Sequence, residues 1–126
     1  MKVYQLFEGR GAQVLAFNDY VNRMAEVSPV SAERYKKIGI ELFKEGFTYE
    51  DTLFHKLPEE GGVYEIYLPI FNNKEAIKRG DIRVNYYNWN NSEKFEYDRL
   101  MSVKEIERYA VPVFLDLMKK AARKVK

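Results

Sequence analysis

Hydrophobic and polar side chains alternate strictly between Asp81 and Trp89. Ile82, Val84 and Tyr86 fall on one side; Arg83, Asn85, Tyr87 and Trp89 fall on the other. A period of two is the signature of a strand, because successive side chains point to opposite faces. Val63–Phe71 repeats the pattern, with Tyr64, Ile66, Leu68 and Ile70 opposite Val63, Glu65 and Tyr67. Pro69 marks an edge or a strand end. The turn Pro58-Glu59-Glu60-Gly61-Gly62 precedes it. Asn72–Gly80 reads as a polar loop, too short for a parallel crossover, so the two strands are expected to pair antiparallel. Asn90-Asn91-Ser92 reads as a turn, and Lys94–Leu100 is a candidate for a further strand.

Helical spacing appears elsewhere. Gln13–Phe17 fits either the second arm of a hairpin with Lys2–Phe7 across Gly9-Arg10-Gly11, or a helix. Val14, Phe17, Val21 and Met24 share one helical face and favour a helix through about Met24, with Asn18 or Asp19 as caps for a later start. Ser28-Pro29 ends it. Ser31 is the expected cap of a second helix with the stripe Tyr35, Ile38, Leu42 and Phe43, closed by Gly46. Gly39 inside that helix loses about 1 kcal/mol relative to alanine, which points to a close contact. Tyr49–Leu57 reads as a short strand or a turn-rich connection. Ser102 and Glu105 form a capping box for a long C-terminal helix with the stripe Ile106, Ala110, Val113, Phe114, Leu117 and Ala121. Pro112 should kink or split that helix. The order predicts a single α+β domain over residues 1–126: a small antiparallel sheet packed with helices.

Composition narrows the function. The chain has 126 residues, 46% hydrophobic and 32% charged, the make-up of one ordinary globular domain. Aromatics reach 15%, with ten Tyr and eight Phe; Tyr supplies apolar area with a polar tip, which suits interfaces. The absence of cysteine excludes disulfides, thiolate zinc sites, iron–sulfur clusters and a cysteine nucleophile. No apolar run reaches the ~18–20 residues of a membrane span, and the N-terminal apolar stretch is too short for a signal peptide. A cytoplasmic protein is expected. The net charge of +2 does not by itself call for nucleic acid. The cations are concentrated at the end of the chain, where Lys119, Lys120, Arg123 and Lys124 either complement a helix dipole or contact phosphates.

Catalytic signals are weak. His55 is the single histidine, and it cannot build a typical zinc site without cysteine. Phosphate-loop, dinucleotide, metalloprotease and nucleophile-elbow motifs are all missing. Carboxylate pairs such as Glu59/Glu60 and Glu96/Asp98 are common on any surface. No cofactor and no metal site is expected.

The second face of the Asp81–Trp89 strand stands apart. It carries a cation, an amide, a phenol and the only tryptophan, and an in-register partner adds Glu65 and Tyr67. Either a second layer such as the C-terminal helix covers this face, with an Arg83–Glu65 pair neutralising it, or the face is an exposed platform. Trp, Tyr and Arg are enriched at protein hot spots, and aromatics beside a cation also stack on unpaired bases.

Lys56-Leu57, Gly61-Gly62, Tyr64-Glu65-Ile66 and Arg83-Val84, in the order strand–helix–helix–strand–strand, resemble the RelE/ParE/HigB group of small bacterial toxins. The middle third of the chain carries the resemblance. Tyr67 stands where the family often has arginine. The resemblance implies metal-independent cleavage of ribosome-bound messenger RNA, with Arg83, Tyr97 and Arg99 as the candidate catalytic side chains. The leading expectation is different: a small non-enzymatic protein of bacterial, phage or mobile-element type, acting as an inhibitor or accessory factor. It binds a macromolecule, protein or RNA, through Arg83, Asn85, Tyr87, Trp89, Glu65 and Tyr67. A structural or assembly subunit is the third reading.

Overall fold

A computed structural model describes residues 11–58 and 60–125. The strand expected at Lys2–Phe7, the start of the glycine turn and Glu59 lie outside them. Helix α1 covers Gly11–Ala25 and buries Val14, Phe17, Tyr20, Val21 and Met24. It starts well before Asn18 or Asp19, because its apolar spacing already begins at Val14. The hairpin alternative is thereby replaced.

Helix α2 covers Pro29–Lys44. Its cap is Ser28, not Ser31. Ser28 is extended and its Oγ accepts the Ser31 N–H at 3.2 Å, with Pro29 preorganised at the first helical position. Ser31 is buried, and its hydroxyl donates to the Lys78 carbonyl at 3.4 Å. The C-terminus closes as expected at Gly46, which has φ +89°. The Gly46 N–H donates to Phe43 O and the Phe47 N–H to Leu42 O, the bond pattern of a Schellman end.

A hairpin follows, formed by β1 (Thr48–Glu50) and β2 (Leu53–Lys56). Its turn residues Asp51 and Thr52 have φ 45° and 67°, the geometry of a two-residue type I′ loop. Strand β3 is Val63–Tyr67, shorter than the expected Val63–Phe71. Pro69 supplies no ladder donor, so the strand stops before it. Leu68 is still buried, while Ile70 is exposed instead of joining the core. Within the expected polar loop lies helix α3 (Lys74–Arg79). Asn73 Oδ1 caps it and Gly80 closes it at φ 71°. Its residues Ala76 and Ile77 are buried.

Strands β4 (Asp81–Asn90) and β5 (Glu93–Ser102) form a ten-residue-per-arm hairpin, turned by Asn91 and Ser92 at φ 51° and 64°. The expected long C-terminal helix is split. Helix α4 is Val103–Ile106 and helix α5 is Val111–Ala121. Ser102 caps α4 through the Lys104 N–H at 3.2 Å. Glu105 turns to Arg99 at 3.2 Å, so the reciprocal half of the capping box is not made. Pro112 sits in the first turn of α5, starting a helix instead of kinking one. The break resets the helical phase: α5 buries Val111, Phe114, Leu115 and Met118, leaving Val113 and Leu117 exposed. A final β6 (Arg123–Lys124) pairs with β5 at Phe95 and Glu96.

The six strands among the described residues form one antiparallel sheet in the order β1-β2-β3-β4-β5-β6. Each strand pairs with its chain neighbour because every connection is short or turns back. The helices lie over the face that carries Tyr49, Phe54, Tyr64, Ile66, Ile82, Val84, Tyr86 and Met101, and together they bury one contiguous core. The protein is α+β. Among the described residues no helix is long and apolar enough to cross a membrane.

Three phenols anchor this core. Tyr20 donates to Pro69 O at 2.6 Å and Tyr35 to Asp81 O at 2.9 Å. Burial pushes both phenols well up, and pushes Tyr49 up to about 12. In the unfolded chain the same groups titrate near about 10. Native structure favours the neutral phenol, so this stabilisation is complete below the unfolded value and is lost as pH rises toward the folded one. Stability should fall by about 1 kcal/mol per pH unit for each phenol above about pH 10. Tyrosinate absorbance followed beside denaturant midpoints checks this. These phenols are expected to ionise only as the protein unfolds; complete ordinary titration with the fold intact would show the burial argument to be wrong.

Candidate binding face and its surroundings

Register builds the site. Glu65 pairs with Asn85, Tyr67 with Arg83 and Val63 with Tyr87. On the other flank Arg83 pairs with Leu100, Asn85 with Asp98, Tyr87 with Glu96 and Trp89 with Lys94. Directly paired residues share a face. Glu65, Tyr67, Arg83, Asn85, Tyr87 and Trp89 therefore lie together, opposite the helices. The sheet also adds Lys94, Glu96, Asp98 and Leu100, which sequence reading had not assigned. Their signal was the continued alternation of Lys94–Leu100, which shows its face only once the β4–β5 register is known. From Arg83 to Trp89 the platform runs roughly 20 Å at the usual strand rise.

No described layer covers it. Trp89 is 67% exposed, Leu100 58% and Tyr67 37%. The C-terminal helix packs on the other face, so the covered alternative does not hold for α5.

Local electrostatics are largely closed. Arg83 grips Asp98 with two nitrogens, Nε at 3.0 Å and Nη2 at 3.2 Å. The expected Arg83–Glu65 pair is not formed, because Tyr67 and not Glu65 stands opposite Arg83. Glu65 instead accepts from Asn85 Nδ2 at 3.2 Å. Lys94 lies 4.8 Å from the Tyr87 ring centre and 3.9 Å from Glu96. Burial, then the Glu65 carboxylate beside it, pushes the Tyr67 phenol up. The Asn85 Oδ1 atom is shielded and has no hydrogen-bond donor among the described residues. Across β3–β5 the carboxylates Glu65, Glu96 and Asp98 outnumber Arg83 and Lys94.

Of the other candidate catalytic and phosphate-contact residues only Arg123, opposite Glu96, reaches the same side of the sheet. Tyr97 pairs with Tyr86 and Arg99 with Val84, which places both on the helix side of the sheet. Arg83 and the pair Tyr97/Arg99 thus occupy opposite faces. In the basic tail, Lys119 bonds Glu60 at 2.6 Å, Lys120 bonds Asp116 at 2.8 Å and Lys124 bonds Glu93 at 2.7 Å. The Lys119 hydrogen bond holds the Glu60 carboxyl below its ordinary value. Arg123 donates to the carbonyls of Ala121 and Ala122. His55 stands opposite Glu65 in the β2–β3 register, which puts it at the β2 side of the open face, and its Nε2 lies 2.8 Å from Thr48 Oγ1. Among the described residues no group of three His, Asp or Glu is placed to hold a metal ion.

No family model matches this chain, and neither a curated protein nor a solved structure does.

Proposed function

We propose that the chain is a small non-enzymatic binding protein that docks a protein partner through the open face of β3–β5. An inhibitor or accessory factor of bacterial, phage or mobile-element type, working in the cytoplasm, fits that role. One observation carries the reading: the only tryptophan stands two-thirds exposed on a rigid strand, with Tyr67 and Leu100 exposed on the same uncovered surface. Rigid aromatics lose little conformational entropy on binding and are enriched at hot spots. Charge favours protein over nucleic acid. Arg83 and Lys94 are already engaged by the carboxylates of the face and an aromatic ring, and Arg123, opposite Glu96, donates to the Ala121 and Ala122 carbonyls; phosphate binding needs cations in surplus.

A tagged pull-down with and without nuclease tests this, comparing wild type with Tyr87→Ala/Trp89→Ala. A protein that survives nuclease and is lost with the variant supports the reading. Ribosomes or RNA that disappear with nuclease would replace it.

The ribonuclease-toxin alternative rests on the family resemblance. One phosphate cannot meet Arg83 together with Tyr97 and Arg99 on two faces of a sheet, so Arg83 would have to act without them. Growth arrest on expression, relieved by Arg83→Ala in a folded protein, would favour it. No arrest is the outcome expected. An assembly subunit predicts self-association at micromolar concentration, measurable by sedimentation.

A further inference from the structure

Strand β5 is only partly covered on its outer side. The Val125 N–H donates to Lys94 O at 2.8 Å, and Glu96 faces Arg123. Even-numbered residues of β5 therefore direct their backbone groups away from β4, as antiparallel alternation requires. If that register continued, Ala121 would stand opposite Asp98, but Ala121 is the last residue of α5. The strand at this edge ends, and among the described residues no strand pairs with the N–H and C=O groups of Asp98 and Leu100.

Directly beneath this edge lies a cleft of about 260 Å³ between β5, α4 and α5. Met101, Phe114 and Met118 contribute its apolar floor, with Leu117 beside them. Two guanidinium groups line it. Arg99 is held by Tyr97 and Glu105. Arg108 has no ion pair or hydrogen bond among the described residues. Against Glu105, the lining keeps one positive charge in excess.

An unpaired strand edge beside a pocket is the arrangement that adds a peptide as an extra strand: main-chain bonds give affinity and alternate side chains give specificity. We infer that an extended acidic segment of a partner protein pairs with the edge of β5 at Asp98–Leu100, seating an apolar side chain in the cleft and a carboxylate on Arg108. Asp98 and Leu100 also lend their side chains to the open sheet face, but the bonding here uses their outward backbone groups and the cleft on the helix side, so either surface can fail without the other.

The probe is acetyl-Thr-Glu-Thr-Leu-Thr-Glu-amide, which places Glu, Leu and Glu on one side of a strand. Its controls are the Lys-for-Glu peptide and a copy N-methylated at alternate residues. Titration is followed by amide exchange in the whole chain. The acidic peptide is expected to saturate and to slow exchange at Asp98 and Leu100, while N-methylation abolishes binding. The lysine peptide should bind about tenfold more weakly, and Arg108→Glu, an exposed change, should reverse that preference. Absence of saturable binding, protection at other amides, or indifference to Arg108→Glu overturns the inference. Protection of Asp98 and Leu100 that rises with protein concentration alone would also overturn it, because a second copy would then occupy the edge.

Discussion

Replacing Gly39 with alanine is expected to destabilise the protein by about 3 kcal/mol, at the upper end of overpacking effects. Helix propensity alone predicts the opposite sign, since alanine gains about 1 kcal/mol over glycine inside a helix. Packing decides the outcome. A Cβ at Gly39 would fall on the Phe17 ring, against Cζ and Cε2. That ring is 2% exposed and cannot retreat. Phe43, Tyr49 and Phe54 close around it with ring centres 5.8, 5.3 and 5.2 Å away. The close approach of α1 and α2 therefore depends on a missing methyl group. Urea midpoints for Gly39→Ala, Phe17→Leu and the double variant form the test. Leucine removes the ring edge, so the two changes should couple favourably by about 1 kcal/mol or more. A Gly39→Ala variant that gains stability would mean that the helices separate at no cost.

Gly39 also shows what kind of information the sequence held. A glycine amid good helix formers points to a neighbour but does not name it. The neighbour, Phe17, lies in another helix, and only folding brings the two together. Local periodicity was enough for the β4 alternation, the faces of α1 and α2, and the α+β class. It was not enough where one residue changes the phase. Pro112 and the break before α5 exchanged Val113 and Leu117 for Val111, Leu115 and Met118 in the core. Register is likewise non-local. Arg83 found Asp98 across β5 instead of Glu65 across β3, because the partner of a cross-strand pair depends on the turn that sets it. The same parity separated Arg99 from Arg83: a residue of opposite alternation lands on the other side of the sheet.

Truncation of Tyr87 and Trp89 to alanine is expected to weaken partner binding by about 2 kcal/mol or more for a central anchor, roughly thirtyfold in Kd. The fold should hardly notice the tryptophan. Trp89 is two-thirds exposed and stands outside the core, and substitutions at such surface positions usually move stability by less than about 0.5 kcal/mol. Tyr87 is more enclosed and its ring lies under the Lys94 ammonium group, so the single variants should be measured as well as the double. Salt provides an independent criterion. With Arg83 locked on Asp98 and Lys94 beside Glu96, few cations remain to release counterions, and affinity should vary little with ionic strength. A partner lost on moderate addition of salt would instead be held by phosphate contacts. If the double variant is folded and binds unchanged, the aromatic face is not the docking surface, however exposed it is. Conversely, an affinity loss without a stability loss in the Trp89→Ala single variant would place Trp89 against the partner itself, because the isolated protein gives that side chain so little to hold.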